Sequence, residues 1–153
     1  MIARLYLRLY YSILMPARRE LFGIAGAALG LAARLQAVEG VKLPSGTLDA
    51  GQTKITHETF GDLAIYFSGA TEQIGSMTAG SLHLKPGMSP LPPHQHPEEE
   101  FMVITEGTGE IVVEGKTTKV AAGSMMYCAG GKTHGIVNTG AKPLLFYFYK
   151  WKV

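Results

Sequence analysis

Three histidines and one glutamate near the middle of the chain carry donor atoms for metal chemistry: His94, His96, Glu100 and His134. The first three sit in Gly87-x6-His94-x-His96-x3-Glu100-x6-Gly107, and the fourth in Gly123-x5-Ala129-x-Gly131-x2-His134-x3-Asn138. Three neutral imidazoles and a carboxylate form a borderline-hard donor set that suits a divalent first-row transition metal. Such a set differs from a thiolate-rich structural zinc site and leaves positions open for water, substrate or dioxygen. His94 and His96 lie two apart, so on a strand both point to one face. Glu100, an even step further on, joins that face if the strand continues. A solvated surface loop is the plainer reading of His94-Gln95-His96-Pro97. Two glycine-framed blocks with four such donors weigh against it.

The elements that must position these donors read as strands. Lys54 to Phe60 and Leu63 to Phe67 form short strands around a hairpin-type turn at Gly61-Asp62. Ser76 to Leu84 forms another, closed by Lys85-Pro86-Gly87. Three prolines within Ser89-Pro90-Leu91-Pro92-Pro93 exclude helix and central strand there, leaving a stiff loop that delivers His94. Glu100 to Thr105 alternates, with Met102 and Ile104 on the face of Glu100. Gly107-Thr108-Gly109 turns the chain, and Gly115-Lys116 has the signature of a type II′ turn before Thr117 to Ala121 and Ser124 to Cys128. Short strands with turn signals at this spacing predict an all-β sandwich or barrel. In the C-terminal strand Leu144, Phe146 and Phe148 form one face, and Leu145, Tyr147, Tyr149 and Trp151 the other. A sandwich strand needs only one apolar face. The second face is expected to pack against an N-terminal arm, Val38 to Gln52, or against another copy in a homodimer.

The two blocks resemble the motifs of the cupin superfamily, usually written G-x5-H-x-H-x3,4-E-x6-G and G-x5-P-x-G-x2-H-x3-N. This chain has six residues between Gly87 and His94, and Ala129 stands at the usual proline. Both departures leave the ligand spacing intact. The fifteen residues between Gly107 and Gly123 match the short spacing of compact bacterial members. The resemblance runs from about Ser76 to Phe148. It implies a double-stranded β-helix, the jelly-roll cupin barrel, with His94, His96, Glu100 and His134 as metal ligands. No second copy of the motifs occurs, so residues 38–153 read as a single cupin domain.

Composition limits the partners. The chain has 153 residues, 46% hydrophobic and 17% charged, which suits one packed domain. The net charge of +2 is uneven. Five arginines against Glu20 make the first 37 residues basic, whereas nine lysines against eleven acids leave the remainder acidic. No nucleic-acid footprint follows from that remainder.

Residues 1–37 read as a leader. Arg18-Arg19-Glu20-Leu21-Phe22-Gly23 precedes a weakly apolar run from Leu21 to Ala33, thirteen residues that are too few for a membrane span. The arginine pair followed by Leu-Phe resembles a twin-arginine signal, and Arg34 after the run agrees with it. Met15 is a candidate initiator, and Ala37 a candidate cleavage position with an unfavourably large Leu35 before it. Export to the periplasm or outside is therefore expected. The alternative is a retained N-terminal helix on a cytoplasmic protein. Cys128, the single cysteine, allows no internal disulfide and reads as a buried small apolar residue.

Within the site, Met102, Met125 and Met126 are expected to line an apolar cavity. Glu98 reads as a solvated loop acid, Glu99 as outward, and His83 as outside the pocket, while His57 is unplaced. The metal is iron, manganese, nickel, copper or zinc, since donor softness does not choose among them. The leading expectation is a dioxygenase-type oxygenase acting on a small organic substrate, with Glu100 doubling as proton acceptor. A non-oxidative metal-dependent isomerase or lyase, or a non-enzymatic metal- or ligand-binding protein, are the alternatives, because fold does not settle function.

Overall fold

A computed structural model describes residues 42–153. The leader, its arginine pair and its cleavage position lie outside the described residues. The described chain is all-β, with one 3-10 turn at Ala50–Gln52 and nine strands. They are β1 Ile55–Glu58, β2 Gly61–Gly69, β3 Ser76–Leu84, β4 Glu99–Glu106, β5 Thr108–Val113, β6 Lys116–Ala121, β7 Met125–Cys128, β8 His134–Val137 and β9 Leu144–Lys152. Strands β1-β2-β3-β9-β4-β7 make a six-stranded sheet and β6-β5-β8 a three-stranded one, antiparallel throughout. No helix among the described residues is long and apolar enough to cross a membrane.

Side-chain alternation builds the core. Leu82 and Leu84 from β3, Met102 and Ile104 from β4, and Leu144, Phe146 and Phe148 from β9 are buried on one face of the large sheet. They pack with Ile111, Val120 and Ile136 of the small sheet in one cluster. The intervening residues of β9 face outward, where Tyr127 and Tyr149 remain half exposed. Phe101 stacks on Trp151 at 5.5 Å and meets Tyr127 at 5.2 Å. The described arm runs beside the β2–β3 end of the sheet, where the Leu43 N–H donates to the Ala70 carbonyl at 2.7 Å and Lys42 pairs with Glu72.

Two turns differ from expectation. Glu58 pairs with Gly61 in the β1–β2 register, so the turn is Thr59-Phe60, and Gly61 and Asp62 already belong to the strand. Gly61 is needed there because a side chain would collide with the His83 carbonyl of β3. Val113 pairs with Lys116, so the second turn is Glu114-Gly115. Both residues have positive φ, 47° and 81°, which makes the turn type I′ and not II′. Gly107 alone, at φ 79°, carries the chain from β4 in one sheet to β5 in the other.

Asn138 explains why the second block ends on asparagine. It is fully buried, its Nδ2 donates to the carbonyls of Leu84 and Lys142 at 2.8 and 2.9 Å, and its Oδ1 accepts from the Gly140 N–H. Its backbone also bridges Gly87 and Met88, tying the first block to the second. Asn138→Ala should lower the free energy of unfolding by about 2–4 kcal/mol, because it leaves several buried polar groups unpaired. Urea denaturation measures this, and a loss below about 1 kcal/mol would contradict the staple role.

Candidate metal centre

The donors arrive from three places. Glu100 is on β4 of the large sheet, His134 opens β8 of the small sheet, and His94 and His96 sit in the loop before β4. The strand that would carry His94 through Glu100 on one face does not form, since β4 begins only at Glu99. The prolines before His94 and Pro97 after His96 break the pattern. Backbone hydrogen bonds take over the role of the strand. The His94 N–H donates to the His134 carbonyl at 2.9 Å and the His134 N–H returns to the His94 carbonyl at 2.8 Å. The Gly131 N–H donates to the His96 carbonyl at 2.7 Å. Gly130 lets the segments touch, because a Cβ there would lie 2.5 Å from the Pro97 carbonyl oxygen.

This stapling brings the rings together. Ring centroids lie 5.7 Å apart for His94–His96, 4.9 Å for His94–His134 and 4.8 Å for His96–His134. The three rings offer donor nitrogens that all lie within 4.8 Å of one another. Each Nδ1 faces a backbone carbonyl: Pro92 for His94 at 3.1 Å, Glu98 for His96 at 3.1 Å, and Lys132 for His134 at 3.0 Å. A carbonyl only accepts, so Nδ1 carries the proton and Nε2 is left with its lone pair. That is the tautomer a metal-binding histidine takes, with the backbone fixing ring orientation.

Glu100 completes the cluster. Its Oε2 lies 3.0 Å from His96 Nε2 and 2.8 Å from His134 Nε2, with all three side chains nearly out of solvent. Two bare lone pairs aimed at a carboxylate repel unless each ring takes a second proton or a cation lies among them. Two donors about 2.1 Å from one ion at right angles stand about 3.0 Å apart, so these spacings fit a shared ion. With that second proton on each ring, burial still pushes the Glu100 carboxyl up, but its hydrogen bonds with His134 and His96 outweigh that and hold it at about 2. Burial likewise pulls His134 down, and the Glu100 hydrogen bond more than reverses it. His94 is held below the ordinary imidazole range by burial and by His134.

The neighbours differ in part from what the alternation of residues predicts. Met102 and Met126 are buried, register partners on β4 and β7, one row beyond Glu100 and Cys128. Met125 is 66% exposed and lines nothing inside. Adjacent strand residues face opposite sides, so Met125 and Met126 cannot share a cavity. Glu98 is not a solvated acid, since its side chain is 13% exposed and its Oε2 is 3.2 Å from His96 Nδ1. Glu99 faces outward beside Tyr127, and His83 is exposed, both as expected. His57 sits on edge strand β1, paired with Asp62 at 2.9 Å. Cys128 is buried, its thiol 3.3 Å from His134 Nδ1, and burial raises its pKa. Lys150 was missed. It is 8% exposed and pairs in register with Glu100 on one side and Thr78 on the other. The alternation of Leu144, Phe146 and Phe148, carried two residues further, places it on the inner face.

Residues 80–149 match the family description of the cupin domain. The described residues have the cupin barrel fold. Solved structures agree on the fold. A cupin of the RmlC-like type from Shewanella frigidimarina superposes with a TM-score of 0.60 at 14% identity, covering 74% of this chain and 96% of that one. KdgF from a Halomonas species gives 0.57 at 15% identity, covering 72% and 96%. A protein described as a predicted oxalate decarboxylase, from Thermotoga maritima, gives 0.56 at 20% identity, covering 71% and 100%. At these identities the likeness is one of fold. No curated protein sequence matches this chain.

Proposed function

We propose that this cupin holds a divalent transition metal through Nε2 of His94, His96 and His134 and the carboxylate of Glu100, and works as an oxygenase on a small organic molecule. The observation that supports it most is the common direction of the Nδ1 bonds. Three rings each spend Nδ1 on a backbone carbonyl and keep Nε2 for one shared point. A bound iron or copper ion would supply a centre for substrate and dioxygen; manganese, nickel and zinc fit the same donors.

The chain's own residues set the conditions. His94 is the half-buried member of the cluster, so the approach to the site lies on its side. Glu100 stays a carboxylate at neutral pH, and it would accept a proton from a ligand beside it only where the metal binds it loosely. Met102, Ile104 and Phe148, buried on the same inner face, keep water away from the interior. The proposal includes export of residues 38–153 as one domain behind a leader of residues 1–37.

An oxygen-electrode screen across catechol-, enol- and diketone-type compounds, with each metal loaded in turn, tests the reaction. The iron- or copper-loaded protein should consume oxygen with a compound that chelates the metal. Uptake no greater than that of the Glu100→Gln variant in every metal form would end the oxygenase reading. A second reading, a non-oxidative isomerase or lyase, is favoured by the buried ammonium of Lys150 beside the cluster, which would stabilise an enolate without oxygen. Substrate conversion without oxygen uptake in the same screen would select it.

A further inference from the structure

The outer face of the large sheet is apolar where it meets water. Tyr127, Phe101 and Tyr149 lie in register across β7, β4 and β9, and Met125, Val103 and Tyr147 form the next row. These residues alternate with Met102, Ile104, Met126 and Phe148, which are buried in the core, so they share the opposite face. Met125 is 66% exposed, Tyr127 50% and Tyr149 43%. Trp151 extends the patch, stacked on Phe101. With large side chains of about 200 Å² each, the patch leaves on the order of 500 Å² open. That lies in the upper part of the range for a monomer's largest apolar patch, roughly 300–600 Å².

The sheet edge beside the patch is equally unprotected. Among the described residues the two sheets end on β1, β7, β6 and β8. Strand β1 carries His57 and Glu58, and β6 carries Lys116 and Lys119. Strand β8 is covered by the loop before β4, since the Ser89 hydroxyl donates to the Ile136 carbonyl and His94 bridges to His134. Strand β7, Met125–Cys128, has neither charge nor proline. Charges and prolines are what keep an edge from meeting another chain.

Charge selects the occupant. Glu99 is the carboxylate within the patch, with the Tyr127 hydroxyl beside it, and Glu106 lies at the rim next to Leu145. A partner recognised by opposite charge needs a dense cluster of one sign, which the centre of this face lacks. A nearly neutral apolar face meets its own image without apposing like charges, as an isologous contact requires. Two copies of it bury about 1,000 Å² together before any rim is counted, the size at which specific interfaces begin.

We propose that a second copy of this chain covers this face, the two outer sheets packing about a twofold axis with Met125, Tyr127 and Tyr149 at the centre. The four-donor cluster lies on the inner side of the same sheet, so the contact is independent of the metal reading.

Sedimentation velocity of the full chain, over about a hundredfold dilution through the micromolar range, measures the contact. Trp151 is the single tryptophan, so its emission reports on the same face. Wild type should sediment as a dimer at the top of the range, and its emission should move to longer wavelength as dilution frees the monomer. Met125→Lys combined with Tyr127→Lys puts two ammonium groups on each apposed face and should raise the dissociation constant at least about a hundredfold. If that pair does not fold, Met125→Lys alone, at an exposed position, should raise it at least about tenfold. Ile55→Lys, at an exposed apolar residue on β1 of the same sheet, should leave it within about twofold. A dimer unchanged by Met125→Lys in a folded variant, or weakened equally by Ile55→Lys, would overturn the proposal. So would a wild type that stays monomeric throughout, and short-wavelength emission from Trp151 in that monomer would assign the face to another segment of the same chain.

Discussion

His134→Ala should empty the metal centre. His134 is 1% exposed, opens β8, and directs Nε2 to the oxygen shared with His96. Removing one of four donors, and with it the ring that packs on both other imidazoles, should weaken metal binding by at least about a hundredfold. The readout is a pair of melting curves, one with metal and one with chelator, for each protein. Saturating metal at a hundredfold over Kd stabilises a native state by about 2.7 kcal/mol, which for a domain of this size is a rise on the order of 10 °C. Wild type should show that rise and His134→Ala should show none. A lower melting point alone would not count, because the variant also leaves a cavity beside Cys128. A metal-dependent rise of wild-type size in His134→Ala would remove His134 from the ligand set.

The other large effect concerns export. Changing Arg18 and Arg19 together to Lys keeps both charges and should still abolish translocation. A receptor that reads guanidinium groups depends on their planar, forked donors, which an ammonium lacks. Fractionation of cells expressing each form measures it, with an expected drop in exported protein of at least about tenfold. Undiminished export would point to the general secretory route, and a wild-type chain confined to the cytoplasm would reject a leader role for residues 1–37. The barrel itself should fold equally well in both forms, since its described core draws on residues from Phe60 onward.

Much of the site was legible in the chain because its information is local. Donor types and their intervals mark His94, His96, Glu100 and His134, and strand alternation correctly buries Met102, Ile104 and Phe148, exposes His83 and turns Glu99 outward. The same alternation continued to Lys150 places that residue on the inner face, and it forbids Met125 and Met126 from lining one cavity. The turns at Thr59-Phe60 and Glu114-Gly115 are different. Glycine marks a tight turn nearby but does not say on which side of it the strand resumes, and the pairing partner sets that register.

What the amino-acid sequence determined by itself was the all-β class and the inner and outer faces of the strands, because these follow from spacing along a backbone of period two. What only the tertiary structure decided was how the donors meet. His94 and His96 are not on a strand, and their positions depend on hydrogen bonds to residues 131 and 134 across the two blocks. The tautomer of each ring depends on a carbonyl brought within reach by the fold of the loops. The closeness of Lys150 to Glu100 depends on β9 lying between β3 and β4 in the sheet order, a placement fifty residues along the chain from the glutamate it faces. Pairing between distant strands rests on the packing of the whole core, so no local pattern encodes it.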